Sequence, residues 1–202
     1  MRLLGAAVAV MALGTVYCTA MIYASLKPIR QWHTPHTAPD YLIYAVFSGA
    51  LLFALLHAVL VGGSPTLSVI VPTTAGIALL AKRAYWRHVD AQTPLASLAS
   101  AIGLPKEAAV RPLDAPHFTE NYVLREMGFT IARRHRARLR RIALGLAFAA
   151  PFVLTVLAAL SMAPLAAMVA AVACATLGLL TERWLFFAEA THVSALYYGR
   201  AA

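Results

Sequence analysis

The chain has 202 residues, of which 61% are hydrophobic, and it carries 17 Lys and Arg against 8 Asp and Glu. This composition excludes an ordinary soluble domain, because the average soluble domain is only roughly 45–50% apolar. Most of the surface must therefore contact lipid, and the backbone groups there must be hydrogen-bonded within helices. The basic residues lie between apolar segments, where anionic lipid headgroups explain them, so nucleic-acid binding is not expected.

Five long apolar segments follow one another along the chain, each close to the roughly 20 residues that a helix needs to cross a bilayer. They cover residues 3–23, 41–61, 65–81, 142–160 and 164–187. The sequence therefore predicts an all-α fold, a polytopic bundle of five transmembrane helices that forms a single membrane domain over residues 1–202. Pro72 and Pro151 lie inside two segments and are expected to kink their helices.

The basic residues predict an orientation. Twelve of the 17 lie in the loop of residues 82–141, between the third and fourth segments. If the helices alternate in direction, four more fall on the same side: Lys27, Arg30, Arg183 and Arg200. Because Lys and Arg accumulate in cytoplasmic loops, the N-terminus is predicted to lie outside and the C-terminus inside.

The basic loop is expected to end in a helix. Thr119 is a suitable N-cap, and Glu120 suits the first turn. No strong breaker follows before Arg141, so this helix is expected to continue into the fourth transmembrane helix. The six Arg residues between 133 and 141 surround the helix instead of marking one face, which is typical of a collar that contacts lipid headgroups.

Few groups inside the apolar segments suit cofactor binding. Cys18 and Cys174 are isolated in separate segments without metal-binding spacing, so no metal is expected. His57 lies in the second segment, and the other four segments contain no second His for a haem held by two histidines. We therefore expect no haem and no directly bound cofactor, and interpret His57 as a hydrogen-bonded packing residue.

The inner end of the last segment carries two carboxylates and an imidazole. On a helix, Glu182, Phe186 and Glu189 lie along one stripe, and His192 follows three residues later. A quinone headgroup needs such an apolar slot beside groups that exchange protons. The alternative is that Glu182 and Arg183 pair with neighbours at the membrane interface, while Glu189 and His192 are solvated. The first inner loop adds further polar residues on the same predicted side, and the two regions can converge.

Three separated motifs occur in order along the chain. They are YASLKPIRQWHTP at residues 23–35, ENY with EMGF at residues 120–129, and ERWLFFAEA at residues 182–190 with YYG at residues 197–199. These motifs resemble the membrane-anchor subunit of the dimethyl sulfoxide (DMSO) reductase family (DmsC). The resemblance covers nearly the whole chain, but it implies a match to the last five helices of the family's eight-helix bundle. The chain is then either a fragment or is completed by a partner.

The resemblance also implies a function. The chain would anchor a molybdopterin oxidoreductase complex in the bacterial cytoplasmic (inner) membrane, and would not be catalytic alone. It would oxidise menaquinol or ubiquinol and pass the electrons to an iron–sulfur electron-transfer subunit, which supplies a molybdopterin catalytic subunit. No cofactor would be bound by the anchor itself.

Two sets of candidate residues follow from this resemblance. Quinone binding is assigned to Arg30, His33, Glu189 and His192. Docking of the partner subunits is assigned to Lys27, Arg30, Arg133 and Arg134, because a basic surface complements an acidic partner. Two other functions remain open, half of a transporter and a non-catalytic membrane fragment. A transporter would show inverted repeats and polar residues at mid-membrane depth, and the sequence has neither.

Overall fold

The structure is a computed structural model that describes residues 2–93, 97–105, 108–110, 113, 129–160 and 164–191. These residues form seven helices and no strand. The helices are α1 (Arg2–Ala24), α2 (Thr37–Leu60), α3 (Pro65–Asp90), α4 (Leu98–Ala101), α5 (Thr130–Arg134), α6 (Arg136–Leu160) and α7 (Pro164–Ala188). Five of them, all except α4 and α5, are long and apolar enough to cross a membrane. The predicted all-α fold with five spans is confirmed.

The bundle centres on α2, α3, α6 and α7, which pack against one another, while α1 packs mainly against α2. Phe47 and Phe148 are fully buried in this core, with Leu51 and Val71 beside them. Many large apolar side chains point outward instead, as expected for helices that face lipid. Helices α2 and α3 form a hairpin, because Gly62 turns the chain in a left-handed conformation with φ of 112°.

Helix α6 changes geometry over Gly145–Ala149, where the backbone forms a π-helical turn. Pro151 follows this turn, and in a regular α-helix its ring would clash with the carbonyl of Ala147. A wider, π-helical turn relieves that clash. The distortion of the helix expected at Pro151 is therefore this π-helical turn. Pro72, by contrast, lies inside α3, which is one continuous helix in the structure.

Helix α7 crosses α6 at this π-helical turn in direct backbone contact. A Cβ atom added to Gly178 would lie 2.0 Å from the nitrogen and 2.4 Å from the Cα of Ala147. No side chain fits in that space, so the close crossing of α6 and α7 requires glycine at this position.

The prediction of one continuous helix through Arg141 into the fourth transmembrane helix is wrong within the described residues. The predicted start of this helix, at Thr119, lies outside the described residues. Phe129 has a left-handed conformation with φ of 36°, and His135 separates α5 from α6. Adjacent arginines repel one another along this segment, which weakens a regular helix. Arg133 also turns to α7, where its Nε and Nη2 atoms donate to the carbonyls of Ala188 and Ala190 at 3.2 and 2.9 Å.

Candidate functional site at the charged end of the bundle

Helices α1, α3 and α7 finish, and α2 and α6 begin, at one end of the bundle, which we name the charged end. The loop of residues 25–36 between α1 and α2 folds over it. Trp32 Nε1 donates to the carbonyl of Phe186 at 2.9 Å, and Gln31 Nε2 donates to Thr191 Oγ1 at 2.7 Å. Tyr85 Oη donates to the carbonyl of Gln31 at 3.0 Å. The loop between α1 and α2 and the end of the last helix therefore converge, as expected from the sequence.

Four charged side chains meet inside this end, and we name them the buried charge network: Asp40, Lys82, Glu182 and Arg183. Lys82 Nζ contacts Glu182 Oε1, and these two side chains are 1% and 0% exposed. Arg183 donates through Nε to Glu182 Oε2 at 2.5 Å and through Nη2 to Oε1 at 2.8 Å. Asp40 is 4% exposed and interacts electrostatically with the other three residues.

Helices α2, α3 and α7 each contribute to this network from their buried stripe. On α3, Val71, Ala75, Ala78, Lys82 and Tyr85 are buried at alternating spacings of three and four residues. Asp40 follows Thr37 in the corresponding stripe of α2, and Glu182 belongs to that of α7. The charges therefore occupy positions that face the core, where apolar side chains are normally found.

Aromatic rings enclose the two cations of the network. Lys82 Nζ lies 4.0 Å from the ring centroid of Tyr85 and 4.7 Å from that of Trp86. Arg183 Cζ lies 4.6 Å from the ring of Tyr41 and 4.9 Å from that of Phe186. These contacts stabilise the cations only in part, because a desolvated cation–π contact contributes about 2 kcal/mol. Removing a charge from water costs several kcal/mol.

A network of this kind is a poor way to stabilise a fold. Well-packed apolar residues in place of a buried ion pair are often neutral or stabilising. Ionisable residues within membrane-spanning helices are rare, and they mark functional sites often enough that function is the default hypothesis. The buried charge network is therefore the strongest candidate for functional chemistry among the described residues.

An aromatic cluster lies next to the buried charge network at the charged end, and it consists of Tyr23, Trp32, Phe186 and Phe187. Tyr23 lies 5.2 Å from Trp32 and 5.5 Å from Phe186 and Phe187, measured between ring centroids. Trp32 stacks on Phe186 at 5.6 Å with an interplanar angle of 15°. Flat rings in offset and edge-on arrangements make an apolar surface that suits another planar ring.

Arg140 fastens the ends of three helices. Its Nε and Nη2 atoms donate to the two carboxylate oxygens of Glu189, both at 2.7 Å, and Nη1 donates to Asp90 at 2.7 Å. Its guanidinium also lies 4.9 Å from the ring of Trp86. A paired, fork-like contact fixes the angle between two groups as well as their distance. Arg140 therefore holds α3, α6 and the residue after α7 in one arrangement.

The residues assigned to quinone binding have the following positions. Arg30 Nη1 donates to the carbonyl of Thr93 at 2.5 Å, and His33 Nδ1 lies 2.5 Å from the carbonyl of Ala24. Glu189 is 8% exposed and held by Arg140, so the expectation that it is solvated is wrong. The pairing expected for Glu182 and Arg183 is confirmed. His192 lies outside the described residues.

The residues assigned to docking are also at this end. Lys27, Arg133 and Arg134 are exposed, and Arg30 is partly buried. Arg133 is already engaged with the end of α7, so it fixes that helix in place besides adding charge. Lys27 and Arg134 are therefore the members of the set whose charge is most accessible to a partner.

Sequence reasoning misses Lys82 and Asp40 as site residues. Falling hydropathy places Lys82 at the start of the basic loop, but α3 continues to Asp90 and buries it. The signal that could have found it is the spacing. Lys82 lies seven residues after Ala75 and four after Ala78, so it continues the stripe of small residues that faces the core.

The opposite end of the bundle has a different character. A cavity of about 580 Å³ lies there between α2, α3, α6 and α7, lined mostly by small and apolar residues such as Ala54, Gly63, Ala158 and Met168. His57 Nδ1 lies 2.8 Å from the carbonyl of Gly62, which agrees with its interpretation as a hydrogen-bonded packing residue.

Comparison with known proteins identifies the family. The family model described as DMSO reductase anchor subunit (DmsC) matches residues 1–199. The C subunit of a sulfite dehydrogenase from Allochromatium vinosum is 31% identical over 208 residues, which cover 99% of this chain and 61% of that protein. The chain thus spans about three fifths of the length of this relative. No solved structure matches.

The matched region contains all five membrane-spanning helices, the loop that folds over the charged end, and each member of the buried charge network. The chain therefore belongs to the DMSO reductase anchor subunit (DmsC) family.

Proposed function

We propose that the chain is a membrane-anchor subunit of an oxidoreductase complex and that its charged end exchanges electrons between a membrane quinone and an iron–sulfur subunit. The observation that carries this proposal is the buried charge network beside the aromatic cluster. Family membership supports the anchor role, and the network places a buried carboxylate, Asp40, where quinone chemistry requires a proton acceptor.

The location of the quinone follows from the two ends of the bundle. A quinone that passes electrons to a docked partner must bind near that partner, and the basic surfaces for docking are at the charged end. The cavity lies at the opposite end, and the 26 residues of α3 span about 39 Å at 1.5 Å per residue. The charged end is therefore the site of quinone chemistry, and the cavity is not.

Within this proposal, Arg30, His33, Glu189 and His192 remain the residues that form the quinone site. The Nδ1 atom of His33 is engaged with the carbonyl of Ala24, so its Nε2 atom is the one that would hydrogen-bond the quinone. Glu189 contributes through its contact with Arg140, which keeps the end of α7 in place. The ring of the quinone would lie on the aromatic cluster.

The partner subunits would dock on the same end, through Lys27, Arg30, Arg133 and Arg134. With the N-terminus outside and the C-terminus inside, this surface faces the cytoplasm. The partners are an iron–sulfur electron-transfer subunit and a molybdopterin catalytic subunit. Long-range attraction between the basic surface and acidic groups of the iron–sulfur subunit would speed association and orient the two proteins.

The direction of electron flow has two candidates. The family description names a reductase, which favours oxidation of a quinol, menaquinol or ubiquinol, with electrons leaving the membrane for that reductase. The relative named as a sulfite dehydrogenase subunit favours the opposite direction, in which electrons from an oxidised substrate reduce the quinone. The same site serves both directions, because a group that accepts a proton from quinol also returns it to the reduced quinone.

The test is to purify the protein from its own membrane in mild detergent, with a tag after Ala202. Mass spectrometry would identify the associated subunits, and optical spectra would follow quinol oxidation and quinone reduction. Recovery of an iron–sulfur and a molybdopterin subunit together with quinone turnover is expected. Recovery of the chain without partners and without turnover would overturn the proposal and favour a transporter or a non-catalytic fragment.

A further inference from the structure

We propose that Asp40 is the proton-exchange group of the quinone site, and that Tyr44, Lys82, Glu182 and Arg183 form its electrostatic surroundings. This inference rests on the proposed function and adds the identity of the group that takes the proton. Quinol oxidation breaks two O–H bonds and releases two electrons and two protons. The two electrons pass to the iron–sulfur subunit, one proton binds the Asp40 carboxylate, and the other goes to water at the charged end.

Asp40 differs from the other carboxylates of this end in its partners. Glu182 is held through both oxygens by Lys82 and Arg183, and Glu189 is held through both oxygens by Arg140. The ion pairs of the described residues do not include Asp40. Asp40 can therefore gain and lose a proton without breaking an ion pair, whereas Glu182 and Glu189 cannot.

Tyr44 provides a second observation beside it. This residue is 7% exposed, and within the described part of the chain its buried hydroxyl oxygen has no hydrogen-bond partner. Tyr44 follows Asp40 by four residues on α2, so the two side chains lie on one face, and they interact electrostatically. Buried hydroxyls are rarely left unpaired, so this one calls for a water molecule or a proton carrier that bridges it to the carboxylate.

The charged and titratable groups around Asp40 come from all three helices that meet there. They are Tyr44 on α2, Lys82 and Tyr85 on α3, and Glu182 and Arg183 on α7. The two positive charges of Lys82 and Arg183 balance the two negative charges of Glu182 and Asp40. The network therefore has no net charge, and protonation of Asp40 gives it one positive charge. Asp40 lies in the first turn of α2, directly after the loop of residues 25–36 that folds over the charged end, and its proton would reach water past this loop.

A purely structural role for Asp40 is the competing interpretation, because an acidic residue in the first turn stabilises a helix through the helix dipole. That role affects folding and leaves quinone kinetics unchanged. The two interpretations therefore differ in the pH dependence of turnover and in the infrared signal of a carboxyl group. Both can be measured in the assembled complex.

The experiment compares Asp40→Asn and Tyr44→Phe with Tyr17→Phe in the purified complex. Tyr17 lies on α1, is 48% exposed and is outside the buried charge network, so Tyr17→Phe is a matched control for Tyr44→Phe. Turnover of ubiquinol and menaquinol analogues is measured as a function of pH. Infrared difference spectra are recorded between the quinol-reduced and oxidised states.

We expect Asp40→Asn to lower turnover at least about tenfold, to change its pH profile, and to remove a carboxyl stretching band seen in the unmodified complex. Tyr44→Phe should lower turnover by a smaller factor, and Tyr17→Phe should leave rate and profile unchanged. An Asp40→Asn complex with intact subunits, an unchanged rate and the same band would overturn the inference. If the Asp40→Asn complex does not assemble, Tyr44→Phe and Asp40→Glu test the inference in its place. An unchanged pH profile of turnover in both of these variants would also overturn the inference. Absence of quinone turnover in the unmodified complex would instead overturn the proposed function.

Discussion

Lys82 of α3 and Glu182 of α7 form an ion pair in which neither side chain is more than 1% exposed. Each lies on the stripe that its helix turns to the core, so the pair joins two membrane-spanning helices from the inside. Arg183 binds the same carboxylate, and the two cations share one anion. The stability of this end of the bundle therefore depends on buried charges that balance one another, and removal of one leaves the others with fewer partners.

Replacement of Lys82 by Met should destabilise the bundle strongly. The apolar side chain fits the site, but Glu182 keeps its burial and loses one of its two cations. Breaking a buried ion pair from one side costs about 3–5 kcal/mol, so we expect a loss of this order in the free energy of unfolding. Thermal unfolding in detergent micelles, followed by circular dichroism, measures the change.

Lys27→Met is the matched control, because it removes the same type of charge from an exposed position at the same end. It should leave the unfolding midpoint unchanged. Equal midpoints for Lys82→Met and Lys27→Met would show that the buried pair contributes nothing to stability.

Replacement of Gly178 by Ala should separate α7 from α6. The added Cβ would lie within 2.5 Å of three backbone atoms of Leu146 and Ala147, so the helices must move apart. Overpacking a core typically costs about 1–3 kcal/mol, and backbone atoms cannot turn aside as side chains do, so the loss should reach at least the top of this range. The same unfolding experiment in detergent measures it.

Gly49→Ala in α2 serves as the comparison for Gly178→Ala. A Cβ at Gly49 meets no atom within 4 Å, and alanine favours a helix by about 1 kcal/mol relative to glycine. This variant should therefore be as stable as the unmodified protein or slightly more stable. A destabilised Gly49→Ala with a stable Gly178→Ala would contradict the observed crossing.

Replacement of Arg140 by Lys should loosen the end of α7 although the charge is kept. Lysine cannot donate to both oxygens of Glu189 and to Asp90 in one planar arrangement. We expect faster hydrogen exchange of the amides of residues 186–191, measured by mass spectrometry of peptides. Arg138→Lys, at an exposed position on the same helix, should leave these exchange rates unchanged. Similar exchange in both variants would mean that the bidentate contact does not hold α7.

The sequence predicts the membrane-spanning helices well, because a bilayer imposes length and hydrophobicity on each one independently of its neighbours. It predicts the buried charge network less well. Hydropathy places Lys82 in a loop, whereas the helix continues and α7 supplies a buried carboxylate for it. The energy of a buried charge depends on its partner, and the partner here is 100 residues away. Periodicity alone could have placed Lys82 on the core face, but it could not have named Glu182.

The segment before α6 shows a second limit. The local sequence pattern favours one helix through Arg141. The structure instead has a left-handed residue at Phe129 and a break at His135, which depend on tertiary contacts that a local pattern does not report. Arg133 caps the end of α7, and that tertiary contact competes with a regular helix. The π-helical turn at Gly145–Ala149 shows the same limit. The sequence contains Pro151, but it does not predict that the helix would adapt to this proline by forming a π-helical turn.

Reversal of two exposed charges should weaken docking of the partner. We expect the double variant Lys27→Glu and Arg134→Glu to lose the iron–sulfur subunit at lower salt than the unmodified complex, because like charges now face each other. Subunit retention on an affinity column at increasing salt measures this. Thr66→Glu, which adds a negative charge at the opposite end, should have no effect. Retention at the same salt concentration in all three proteins would exclude Lys27 and Arg134 from the docking surface.

The two ends of the bundle should label differently in intact cells. We predict that a cysteine placed at Gly63, at the opposite end, reacts with a thiol reagent that cannot cross the membrane, whereas a cysteine at Lys27 reacts only after the cells are opened. Both are introduced after replacement of Cys18 and Cys174 by Ala, which removes the native thiols. The physical reason is the excess of Lys and Arg at the charged end, which holds it on the cytoplasmic side. Labelling of Lys27→Cys in intact cells would reverse the orientation and place the partner subunits on the outer face.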